Sequence, residues 1–102
     1  MQIDYPHKLG RDEARARLEL LSAYLHNRHG IQVTWNGDRA AFKGKYLVVK
    51  FSGELTFGDD LVQFRGEDPG MLWRKRAVAY ITGKLNRYLD PAVPLEQLPT
   101  GA

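Results

Sequence analysis

Cysteine is absent, and that one absence removes disulfides, thiol nucleophiles and cysteine-ligated zinc or iron–sulfur sites together. It also argues against a secreted, disulfide-built protein and agrees with a reducing cytoplasm. Long apolar runs are missing as well. No stretch approaches the roughly eighteen residues that a bilayer-spanning helix needs, and the opening MQIDYPHKLGRDEARAR has no apolar run behind its basic residues, so no signal peptide is expected there. Nor is there a large excess of one charge. The net charge is only +3 with a pI near 9.3, whereas a domain that coats nucleic acid carries a denser positive excess. A polyanionic partner is therefore allowed by the composition but not indicated by it.

What is present is a hydrophobic content of 43% in 102 residues, enough for one domain with a single core. The clearest segment is Tyr46 to Phe57, YLVVKFSGELTF. Read as one strand, it places Leu47, Val49, Phe51, Gly53, Leu55 and Phe57 on one face and a mainly polar set on the other. That is the pattern of a sheet packed on a core and open to water behind. A strand of that length should bend, and Gly53 is the expected place.

In chain order, Gln2 to Tyr5 is an edge-strand candidate stopped by Pro6. Gly10 is a joint into a helix from about Arg11 to Asn27, with Ala14, Leu18, Leu21 and Leu25 as its apolar stripe and Gly30 as its stop. Ile31 to Trp35 alternates, and Asn36-Gly37 predicts a hairpin into Arg39 to Lys43. Gly44-Lys45 is read as the next reversal and Gly58-Asp59-Asp60 as a third, leading into Leu61 to Glu67. Asp68-Pro69-Gly70 breaks the chain before a helix from about Met71 to Leu89, with Val78, Ile81, Leu85 and Leu89 on one stripe. The expected fold is α+β: an antiparallel sheet in the order β-α-β-β-β-β-α with two helices packed on one face. Residues 1–90 form the domain in this reading, and 91–102 a partly ordered tail.

These fragments, taken in order, resemble the polyhydroxyalkanoic acid system family, also described as polyhydroxyalkanoate granule region proteins. The resemblance runs from about Ile3 to Leu89. It rests on His7 and Gly10 within HKLGRDEA, on Gly30, on Trp35 and Gly37 within TWNGD, on Phe42 and Gly44, and on Gly53, Leu55 and the Asp59-Asp60 turn. One stretch departs from the family's pattern: RGEDPGMLWRKRA stands where a more apolar, Leu-Gly-containing connection is usual. The resemblance implies a cytoplasmic role tied to a hydrophobic storage polyester, with the granule surface or a granule-associated protein as partner. It carries no enzymatic activity onto particular residues.

The residues themselves agree with a non-enzymatic accessory protein and with no cofactor. His26 and His29 lie three apart near a helix end, but a metal site needs further ligands, so no metal is expected. His7 is read as bonding loop backbone rather than acting as a base. Asp59-Asp60 and Glu67-Asp68 sit at turns, where aspartate bonds its own backbone. Trp73, Arg76, Tyr80, Lys84 and Arg87 make a basic, aromatic face of the second helix, expected on its far side from the sheet and a candidate for partner binding. Tyr46, Val48 and Lys50, on the outer sheet face, are candidates for self-association as a homodimer. The alternative reading is a small basic nucleic-acid-binding regulator using the same helix. A third, an enzyme or a small-molecule carrier, would need an unfilled space between sheet and helices, and the inward Phe42, Phe51, Phe57 and Phe64 predict that this space is packed.

Overall fold

The computed structural model describes residues 1–46 and 49–102, with Tyr46 and Val49 described by their backbone only. Five strands, β1 (Gln2–Pro6), β2 (Gln32–Asn36), β3 (Arg39–Tyr46), β4 (Val49–Phe57) and β5 (Leu61–Gly66), form one antiparallel sheet in the order β1-β5-β4-β3-β2. The helices α1 (Arg11–His29) and α2 (Met71–Tyr88) complete the α+β fold in the element order expected. Ala14, Leu18 and Leu21 of α1 and Leu85 and Tyr88 of α2 are buried with Ala40, Phe42, Leu55, Phe57, Val62 and Phe64 of the sheet. The opposite sheet face is largely polar and includes an Arg39–Glu54 ion pair at 3.4 Å.

Two reversals fall elsewhere than expected. Gly44 and Lys45 do not turn the chain; they pair with Phe51 and Lys50, and the ladder continues to Tyr46 opposite Val49. Glycine there serves packing instead, since a Cβ on Gly44 would stand 3.0 Å from the Ile31 side chain. The first hairpin is also displaced by one residue. Asn36 pairs with Arg39, so Gly37 and Asp38 form the loop, with Gly37 at φ 60°. The inward assignment of Leu47 lies outside the described residues.

No bulge occurs at Gly53. Its register is unbroken, with Phe42 on one side and Gly66 on the other. A Cβ on Gly53 would lie 2.7 Å from the Phe64 ring, and one on Gly66 would lie 3.0 Å from the same ring. The absence of side chains at this glycine pair lets the Phe64 ring approach the backbone more closely than a Cβ would permit.

The register gives the molecule two unlike ends. At one end lie the loops 7–10, 37–38 and 58–60 with the start of α1. Here the side chains interlock. Arg15 stacks over Trp35 and Phe57, at 5.3 and 5.8 Å from the ring centroids, and donates to the Gly37 carbonyl. Arg11 pairs with Asp38 at 3.1 Å. The other end carries the C-terminus of α1, the connection 67–70 and the start of α2.

Candidate functional site

Of the family-motif residues, His7, Gly10, Trp35 and Gly37 gather at the interlocked end, while Gly53 lies against the Phe64 ring on the cavity side. His7 is buried, and its backbone N–H donates to the Asp60 carbonyl. Its Nδ1 accepts from the Leu9 N–H at 3.2 Å, which leaves the proton on Nε2 to reach the Gly58 carbonyl at 3.2 Å. The imidazole thus ties the first loop to the β4–β5 turn. Gly10 has φ 80° at the N-cap of α1. Trp35 meets Phe57 edge-on at 5.8 Å. These contacts join backbone loops and rings, and they account for the motif by architecture.

At the other end the packing opens. A cavity of about 360 Å³ lies between the helices and the sheet, within the size range of small-molecule sites. Its floor includes Phe42, Phe51, Leu55 and Phe64, and α1 contributes Leu21, Leu25 and His29. The expectation of a filled space therefore fails. The cause lies in the glycines: the Phe64 ring lies against Gly53 and Gly66, and the Phe51 ring tip is 3.4 Å from where a Gly44 Cβ would be. Rings drawn in against glycine leave the gap beneath α2 unfilled. Above it the helix offers small Ala77 and half-buried Ile81.

Four of the residues expected on the far side of α2 border this cavity instead: Trp73, Arg76, Tyr80 and Lys84. Their spacing is helical, and the face they share turns toward the opening. Arg87 is exposed and is not among them. Lys84 Nζ stands 4.2 Å from the Tyr24 centroid and 5.5 Å from that of Tyr80, so an aromatic ring from each helix brackets the ammonium. Arg76 lies 5.8 Å from the Trp73 ring. Among the described residues neither cation has a carboxylate within 4.0 Å. Among the described residues Glu67 is the one carboxylate on the lining.

Beside the opening, the first turn of α2 exposes Met71 (84%) and Leu72 (88%). The turn is held by Asp68, whose Oδ1 accepts from the Gly70 N–H at 2.9 Å and whose Oδ2 accepts from Arg74 Nε at 2.9 Å. The Arg74 hydrogen bond, reinforced by the Gly70 N–H, holds the Asp68 carboxyl below its ordinary value.

Neither terminal histidine of α1 meets a metal-like set. His26 Nδ1–H donates to the Ile31 carbonyl and His29 shares a hydrogen bond with Tyr80. Among the described residues no group of three or more His, Asp or Glu side chains converges on a point. Of the self-association candidates, Lys50 is exposed, Val48 lies outside the described residues, and the Tyr46 side chain does too.

Sequence reasoning missed Arg17. It is 3% exposed, on the inner stripe of α1. Nη1 donates to the Tyr88 and Asp90 carbonyls at 3.1 and 3.0 Å, and Nη2 to that of Val93 at 2.7 Å. The available signal was position: Arg17 is three residues after Ala14 and four before Leu21, in line with both.

Comparison with known proteins adds the family. The profile described as polyhydroxyalkanoic acid system protein, granule region, matches residues 1–93. The chain belongs to this family. No curated protein and no solved structure matches it. The match covers both ends of the molecule, the interlocked motif loops and the open end with α2. Among the described residues no helix is long and apolar enough to cross a membrane.

Proposed function

We propose that this polyhydroxyalkanoic acid system protein is a non-catalytic accessory that docks on the polyester granule through the open end. The observation that carries this reading is the exposed Met71–Leu72 pair at the tip of α2. Large apolar side chains at a helix start, followed by Arg74, Lys75 and Arg76, make a wedge that enters an apolar surface while cations stay at the wet boundary. Membership of a polyhydroxyalkanoic acid system family supports the choice of surface, a hydrophobic storage polyester.

The direct test is retention on isolated granules. Met71→Ser with Leu72→Ser removes the wedge without touching a buried residue, so the fold should melt as wild type while retention falls. Unchanged retention of that variant would overturn the reading. Polyester particles stripped of protein separate the polymer from a granule-bound protein as the contacted surface, and the proposal expects retention on both. Sedimentation at high micromolar concentration tests the homodimer expected through Tyr46, Val48 and Lys50.

A further inference from the structure

The open end holds a second feature that surface docking does not use. An apolar space of about 360 Å³ stands between helices and sheet, and its walls forgo dispersion contacts that a buried apolar group would restore. Its rim is basic. Lys84 is held between Tyr24 and Tyr80, Arg76 lies beside Trp73, and neither cation has a carboxylate within 4.0 Å among the described residues. An apolar interior beneath unneutralised cations is complementary to one kind of molecule: an apolar chain with an anionic head.

We infer that this cavity binds a single medium-length acyl chain whose carboxylate lies at the rim formed by Arg76 and Lys84. The chain would lie on the floor of Phe42, Phe51 and Phe64, under Ala77 and Ile81. A carboxylate suits this rim better than a neutral ester, because the two cations gain a charged acceptor. Eight positions separate them, about 12 Å along a helix at 1.5 Å per residue, so one cation holds the head directly while the other adds positive charge to the rim. This inference does not depend on the docking proposed above.

Calorimetric titration of the full chain with decanoate, 3-hydroxydecanoate and methyl decanoate tests it. Saturable one-to-one binding of both acids is expected, with the methyl ester weaker. Equal affinity for the two acids supports a general acyl-carboxylate site. Tighter binding of the hydroxy acid supports the same site and points it to the polyester's own monomers. Ala77→Phe and Ile81→Phe project bulk into the space, and each should abolish binding while the melting curve shows a folded protein. Arg76→Gln with Lys84→Gln should weaken the acids about tenfold, the effect of about 1.4 kcal/mol, and leave the ester unchanged. Saturable binding that survives both cavity-filling variants would overturn the inference, as would no saturable binding by wild type. Affinities indifferent to head charge and to the double variant would also contradict it. The Met71→Ser, Leu72→Ser variant should bind decanoate normally and Ala77→Phe should remain on granules, so failure of one proposal is distinguishable from failure of the other.

Discussion

Arg17 shows how much a single side chain can hold. Its guanidinium is buried without a carboxylate among the described residues, and three carbonyls at and beyond the end of α2 take its protons. A cation at a helix C-terminus is also favoured by the helix dipole. Arg17→Met keeps the apolar stem but leaves those carbonyls unsatisfied. It should cost about 2–4 kcal/mol in urea unfolding, since hydrogen bonds to charged groups are each worth more than neutral ones and buried orphans are penalised. Tyr88 sits at the same junction, fully buried, with its hydroxyl donating to the Pro99 carbonyl. Burial raises its pKa above the ordinary 10.0. In the unfolded chain the phenol ionises first, so stability should fall as pH rises from about 10 toward the raised folded value. Tyr88→Phe should be less stable near neutrality by about 1 kcal/mol but lack that alkaline decline; an identical decline would assign it to other groups.

At the scale of elements, α2 is the one whose setting decides the site. Its first turn is anchored by Asp68, which takes the Gly70 N–H and the Arg74 guanidinium. Because the folded carboxyl titrates below 3.8, the anchor is in place above the ordinary aspartate range and is lost as pH falls through the lower folded value. The Gly70 amide resonance should therefore shift with a midpoint below 3.8. Asp68→Asn should abolish the titration and speed amide exchange in the first turn. A midpoint at or above 3.8 would mean that the turn is not held this way. The break at Asp68-Pro69-Gly70 was readable in advance, because proline and glycine punctuate and aspartate bonds its own turn. The face that α2 turns inward was less so. Periodicity identified Leu85 and Leu89 correctly, but Trp73 and Tyr80 look like surface residues until the cavity gives them something to border. The Gly44-Lys45 reversal failed for a related reason: a glycine demanded by a neighbouring side chain looks, in sequence, like a glycine demanded by a turn.

For the whole molecule, alternation and helical spacing specified the element order, and the antiparallel meander followed from short loops. The family resemblance was equally legible, because His7, Trp35 and Gly37 keep a fixed order along the chain. The cavity was not. Four inward phenylalanines promise a packed interior, and only the registered sheet shows Gly53 beside Gly66 under the Phe64 ring. Arg17 was hidden similarly, since an arginine on an apolar stripe finds its carbonyl partners more than seventy residues away. Both are consequences of tertiary register rather than of local pattern. The central claim, that the open end meets an apolar polyester surface, is tested most directly by co-sedimentation with isolated granules beside duplex DNA across a salt series. Apolar contact predicts granule retention that persists as salt rises and is lost with Met71→Ser, Leu72→Ser. Phosphate contacts release counterions and weaken steeply with salt, so salt-labile binding to DNA without retention on granules would contradict the account.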